Sequence, residues 1–251
     1  MALQEDLEKQ GNWLFKYRSY VPLSILSVGT ILYVYTELHP KTFILKGTSY
    51  ERYYEMLALC ISLTGQFIRI YTVGHTPRNT SGRNTKQGQV ADSLNTTGLY
   101  SVVRHPLYLG NFLMWLGPAM LPGNIWFLII FCLLYWIYYE RIMFAEEQFL
   151  RAKFGQPYLD WANGRPAFIP RFKNFVQPNM PFSWKKVLKN EKNGVFALFL
   201  IFSTLDILGE LIRGETHYNY FLIIMAGLTG LSYVILKYLK KRTNFLNEPD
   251  R

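Results

Sequence analysis

Two short stretches of this sequence combine residue types that could do chemistry. The first reads Thr97-Gly98-Leu99-Tyr100-Ser101-Val102-Val103-Arg104-His105-Pro106-Leu107-Tyr108-Leu109-Gly110. Pro106 suits the first position of a helix, because its fixed φ fits there and its missing N–H costs nothing. The free N–H groups and positive dipole end of such a helix then point toward Arg104 and His105. An anionic group such as a carboxylate fits there, and Arg104 can add a bidentate contact. Gly110 would let another group approach the backbone closely. The same residues would also suit the headgroup layer at the end of an ordinary membrane span. The second stretch carries Glu146-Glu147 on a charged, amphipathic segment, followed by Phe154-Gly155-Gln156-Pro157-Tyr158 and Pro166-Ala167-Phe168-Ile169-Pro170. Alone, Glu147 could do no more than pair with Arg151 on a solvated helix face.

Elements that could position these residues are read from the distribution of apolar sequence. The chain has 251 residues, of which 50% are hydrophobic and 18% charged, below the roughly 25% charged of a soluble domain. About 20 mostly apolar residues are needed to cross a bilayer as a helix. Tyr20–Leu38, Tyr54–Val73, Gly194–Ile212 and Tyr218–Tyr238 meet that test. Pro106–Tyr139 is long enough for two spans, broken by Gly117, Pro118, Pro122 and Gly123 into a tight hairpin. The expected fold is therefore all-α: a multi-pass membrane bundle of about six transmembrane helices. On this topology 22 of the 27 Lys and Arg fall on one side and four on the other, with Arg69 inside a span. The positive-inside rule makes the first side cytoplasmic, with both termini on it, in a bacterial inner membrane or the endoplasmic reticulum. The acidic start, with Glu5, Asp6 and Glu8, does not suit a cleaved signal peptide.

The chain divides into two N-terminal spans (1–73), a polar loop (74–97), a central unit (98–170), a basic interfacial segment (171–193) and two C-terminal spans with a basic tail (194–251). Glu140–Phe154 is expected to continue a span out of the membrane, ending at Gly155. The net charge of +10 is accounted for by topology and attraction to anionic lipid, and no basic soluble module points to nucleic acid. Cys60 and Cys132 fall in spans as small apolar fillers, and no His/Cys set has zinc spacing. Neither a dinucleotide-type glycine turn nor a Walker loop is present. Any cofactor must be held by helices and loops at the membrane surface.

Taken together and in order, these motifs resemble the isoprenylcysteine carboxyl methyltransferase and phospholipid methyltransferase superfamily. That pattern runs from a glycine before Arg-His-Pro-x-Tyr-x-Gly, through a helical hairpin, to Glu-Glu, Phe-Gly-x-x-Tyr and a closing Ile-Pro. The resemblance covers roughly Thr97–Pro170. It implies a multi-pass enzyme that binds S-adenosyl-L-methionine at its cytoplasmic face and takes a lipid-like or small hydrophobic acceptor from the bilayer. Carried over by position, His105, Tyr108 and Glu147 belong to the cofactor pocket, with Arg104, Gly110 and Glu146 beside them. His105 and Arg104 are the catalytic candidates, His105 as base if the acceptor must lose a proton. Outside the motif lie Arg78, Asn79, Arg83 and Asn84 of the polar loop and the two extra C-terminal spans, which could shape acceptor choice or a dimer interface. Arg69 is expected to face the cofactor site. Ser203, Asp206, Glu210 and Arg213 share one helix face, where Glu210 can pair with Arg213. Two other readings stay open: an NADPH-dependent sterol-type reductase, which carries a similar Arg-His-x-x-Tyr region, and a transporter or scaffold built on the Asp206/Glu210 face.

Overall fold

The computed structural model describes residues 2–18, 20–80, 89–249 and 251; Arg83 and Asn84 of the polar loop lie outside the described residues. Eight α-helices are found among them: α1 (Leu3–Lys16), α2 (Val21–Leu38), α3 (Ser49–Gly74), α4 (Pro106–Met120), α5 (Ile125–Phe154), α6 (Gln156–Ala162), α7 (Trp184–Arg213) and α8 (Tyr220–Arg242). The only strand-like pairing among the described residues is a single bridge between Gly98 and Val176.

Five helices, α2, α3, α5, α7 and α8, are long and apolar enough to cross a membrane. The sixth expected span, α4, has only 15 residues, about 22 Å at 1.5 Å per residue, short of the ~30 Å hydrocarbon core. It gains its place by lying directly on α3. The Tyr54 hydroxyl donates to Met120 O at 2.9 Å and Ser62 Oγ donates to Met114 O at 3.0 Å. Small residues make this approach possible: a Cβ on Gly65 would sit 2.5 Å from Gly110 O, and one on Gly117 would collide with Ser62 Oγ and Ala58 O. Close backbone contact through small residues is how helices associate in lipid, where hydrophobic burial gives little drive. The hairpin turn closes at Gly123, whose φ of +63° leaves no room for a side chain against Phe43. α5 leaves this turn and runs for 30 residues, about 45 Å, so its last turns project beyond the apolar slab. Gly155, at φ +59°, ends it.

The opposite end of the bundle is tied by ions. Glu37, with its side chain fully buried, accepts from Lys46 Nζ at 2.5 Å and Arg213 Nη1 at 2.6 Å. Arg213 Nη2 also pairs with Glu210 at 2.5 Å, and Lys46 with Glu51 at 2.5 Å. Asp206 accepts from the Asn219 backbone N–H at 2.9 Å. The polar face of α7 is thus satisfied within the protein, knitting together α2, the loop after it, α3 and α7, as buried charges require.

Two features at the loop-rich end were not foreseen. Leu3–Lys16 is a helix, laid across the projecting part of α5. Gly11 sits so close there that a Cβ would collide with Arg141 O and Ala145 Cβ. α7 begins at Trp184, ten residues before the apolar run at Gly194, with Ser183 Oγ accepting from Lys186 N at 3.1 Å. The strap between α6 and α7 crosses under the bundle. Gly98 N–H donates to Val176 O at 2.9 Å, and Ser183 N–H donates to Gly74 O at 2.9 Å.

The α3–α4 contact gives a direct prediction. Gly117→Val should destabilise the protein by about 1–3 kcal/mol or more, the usual cost of overpacking. Gly227→Val, where a Cβ meets open space, should leave the thermal unfolding midpoint in detergent unchanged. Equal midpoints for the two variants would contradict this packing.

Candidate functional site

The site grows from the start of α4. His105 precedes Pro106, the first residue of the helix, and lacks a side-chain cap. Its backbone is held from another direction: Arg104 N–H donates to Pro166 O at 2.9 Å and His105 N–H to Ala167 O at 3.1 Å. Arg171 N–H returns to Val102 O at 2.9 Å. The Pro166–Pro170 stretch therefore serves as a backbone splint for Arg104 and His105.

Across from this splint stands the projecting end of α5. His105 Nε2 is 2.9 Å from Glu147 Oε1, and Nδ1 is 3.6 Å from Glu146 Oε2. Arg104 Nη1 lies 3.2 Å from Glu147 Oε2. His105 is almost wholly buried, at 6% exposure. Burial works against a charge on its ring, but the close carboxylates of Glu146 and Glu147, the latter hydrogen-bonded to it, outweigh burial and hold the pKa above its ordinary value. Tyr108, one turn into α4, stacks on the His105 ring with centroids 5.5 Å apart. Behind it, Tyr139 lies 4.9 Å from Tyr108 and stacks on Tyr135 at 4.2 Å. The Tyr135 hydroxyl donates to Tyr108 O at 2.9 Å. This aromatic column fixes the first turn of α4 against α5.

A cavity of about 190 Å³ opens beside these groups. Its walls include Arg104, His105, Tyr108 and Glu146, together with Arg18, Arg69, Tyr100, Asn111 and Tyr158. Of the six residues singled out from sequence, four line it. Glu147 lies behind Arg104 and His105 and clamps them, while its neighbour Glu146 faces inward, one residue being about 100° of helix rotation. Gly110 faces α3, where a Cβ would meet Arg69 Cγ at 2.6 Å and Gly65 O at 2.9 Å. Arg69 lines the cavity, held in a fork by Glu191 at 2.8 Å (Nε) and 2.7 Å (Nη2), with Nη1 donating to Asn111 at 2.6 Å.

Several wall residues escaped sequence reasoning. Phe15 and Arg18 come from α1 and its end, and Gln89, Val90, Ala91, Ser93, Leu94 and Asn95 add a further wall. Tyr158 and Trp161 come from α6, with Trp161 Nε1 donating to Tyr100 O at 3.2 Å. Buried polar atoms around the cavity without a hydrogen-bond partner among the described residues include Glu146 Oε2, which has only its 3.6 Å ion pair with His105, and Gln89 Oε1, Arg104 Nε and the Tyr158 hydroxyl. Such atoms are rare in native proteins and mark places where a ligand or water completes the bonding. They supply two acceptors, one cationic donor and one group that can do either.

Comparison with known proteins bears on the same region. A family model described as phospholipid methyltransferase matches residues 54–157. The protein-S-isoprenylcysteine O-methyltransferase of Schizosaccharomyces pombe is 31% identical over 117 residues, 47% of this chain and 50% of that protein. Its Saccharomyces cerevisiae counterpart is 30% identical over 116 residues, 46% of this chain and 48% of that one. Methanethiol S-methyltransferase 2 of Bradyrhizobium diazoefficiens is 39% identical over 80 residues, 32% of this chain and 29% of that protein. The chain thus spans about half the length, or less, of these relatives. No solved structure matches it. The matched segment contains most of α3, the α4–α5 hairpin and the Glu146–Glu147 pair, and over that segment this integral membrane chain is similar to the isoprenylcysteine carboxyl methyltransferase and phospholipid methyltransferase superfamily.

Proposed function

We propose that this protein is an S-adenosyl-L-methionine-dependent methyltransferase, acting at the cytoplasmic face of its membrane on a lipid-like or small hydrophobic acceptor. The observation that carries the reading is the set of unpartnered atoms around the cavity. The cofactor offers a carboxylate, an ammonium, ribose hydroxyls and a sulfonium, so its donors suit Glu146 Oε2 and Gln89 Oε1. Its carboxylate suits Arg104 and the positive end of the α4 dipole. When bound, it supplies a methyl group already activated on sulfur for in-line displacement by the acceptor.

The residues of the chain then have positioning work to do, and positioning can supply much of the rate in such a reaction. Glu146 and Arg104 would hold the donor, and Tyr108, Tyr158 and Trp161 would wall it from water. In this reading Glu147 holds Arg104 and His105 in place without touching the donor. Both ring nitrogens of His105 are turned toward carboxylates, which favours its protonated form and an orienting role over that of a base. The catalytic unit is taken as 98–170, with the flanking spans supplying the membrane setting.

Calorimetry on detergent-purified protein tests the reading. S-adenosylhomocysteine should bind saturably and NADPH should not, and Glu146→Ala should weaken binding about tenfold or more, as loss of a charged hydrogen bond does. Binding of NADPH alone would assign the site to a reductase instead. A second expectation follows from His105. Its folded pKa lies above the unfolded value of about 6.5, so its stabilisation is full below that pH and is lost as pH rises through the folded value. The unfolding midpoint should therefore fall between pH 6 and pH 9 more steeply in the wild type than in His105→Gln. Parallel pH profiles would show that the carboxylates do not hold the proton.

A further inference from the structure

The strap between α6 and α7 has two sides with different work. Its backbone hydrogen bonds run inward. Pro166 O and Ala167 O accept from Arg104 and His105, Arg171 N–H donates to Val102 O, and Val176 N–H donates to Ser101 Oγ at 2.9 Å. Several of its side chains are left outside. Ile169 is 76% exposed and Phe172 65%, and Phe175 and Val176 are exposed as well. Arg171 and Lys173 are exposed among them. So many large apolar side chains close together mark a surface that meets something besides water.

One ring fixes the depth of this surface. Phe168 packs edge-on against Phe112 of α4, with centroids 5.8 Å apart, and against Trp136 of α5 at 5.7 Å. Phe112 lies six residues past Pro106, about 9 Å along the helix. Trp136 is half exposed, on a face of α5 that it shares with the exposed Leu133 and Ile137. That face belongs to a helix long and apolar enough to cross a membrane. The strap therefore continues the lipid-facing surface of the bundle, with Ile169 next to Phe168 and the two cations just beyond. Apolar and aromatic groups flanked by Lys and Arg are what sits at the boundary between acyl chains and headgroups. The charge has one sign: from Trp161 to Asn190 the sequence holds six Lys and Arg and no Asp or Glu.

We propose that residues 168–176 dock on an anionic lipid leaflet, with Ile169 and Phe172 in the boundary layer and Arg171 and Lys173 among the headgroups. Continuity with the lipid-facing side of α5 favours a bilayer over a soluble protein as the occupant, and the cations select an anionic one. The same strap holds Arg104 and His105 through Pro166 and Ala167, so the leaflet and the candidate site grip opposite sides of one segment. Lipid charge thereby steadies the backbone of the site, because freeing Arg104 N–H from Pro166 O means moving a segment that the leaflet holds. The docking does not depend on the methyl-transfer reading.

The test is amide hydrogen exchange on the full chain, one chain per lipid nanodisc, in phosphatidylcholine alone and in phosphatidylcholine mixed with phosphatidylglycerol. The amides of Arg104, His105, Arg171 and Val176 report opening of the strap. They should exchange about fivefold to thirtyfold more slowly in the anionic discs, the worth of one or two basic residues at such a surface. Arg171→Gln/Lys173→Gln should remove the difference, and both side chains are exposed, so the fold should be kept. Equal exchange in the two lipids would overturn the proposal. So would a difference that survives in the double variant, since the lipid would then act elsewhere. Protection that requires two chains in one disc would give the surface to a second copy and overturn it too. No methyl donor is present, so failure here leaves the methyltransferase reading standing.

Discussion

The structure depends on one contact between segments some 40 residues apart: Arg104 and His105, at the start of α4, meet Glu146 and Glu147 on the projecting end of α5. Four ionisable groups are brought together where His105 is nearly dry, which is costly unless each finds a partner. The backbone splint from Pro166 and Ala167, the stacked rings of Tyr108, Tyr139 and Tyr135, and the helix laid down by α1 all serve to hold the two halves at that distance. The hairpin turn at Gly123 sets their register from the far end. What remains open to a ligand is the inward side of the contact, where Glu146 Oε2 and Arg104 Nε make no hydrogen bond among the described residues.

The parts outside the shared segment are coupled to this contact through Arg69. Its fork to Glu191 joins α3 to the first turns of α7, and its third nitrogen reaches Asn111 beside the cavity. Asn111 in turn donates to the Tyr139 hydroxyl at 3.3 Å. The C-terminal helices are therefore more than a membrane anchor added to a finished core. One of their carboxylates fixes the orientation of an arginine in the site wall. At the opposite end, Glu37 and Arg213 tie α2 to α7, so the bundle is clamped by ions at both ends with apolar packing between.

Much of this was readable from residue order. The apolar runs located every long span, the glycine and proline cluster located the hairpin, and the resemblance brought Arg104, His105, Tyr108 and the two glutamates to one place. The rest depended on information that residue spacing does not contain. Which of Glu146 and Glu147 faces inward is decided by the rotation of α5, set by packing against α1 and the aromatic column. α1 itself hid among acids, with Leu3, Leu7, Gly11, Leu14 and Phe15 as its only pattern. Gly110 read as a place for a ligand, but serves the approach of α3 to α4. The start of α7 was obscured by Lys185–Asn193, whose charges look like a surface loop and are instead the first turns of a helix. Glu191, 122 residues from Arg69, could not be paired with it without the fold.

The most direct test of the central claim is a structure of the protein with S-adenosylhomocysteine bound. The account predicts the ligand in the cavity beside the start of α4, its carboxylate toward Arg104 and its ammonium or ribose toward Glu146, with Glu147 still clamping Arg104 and His105. Ligand density elsewhere, or a cavity that closes while Glu146 turns away, would contradict it.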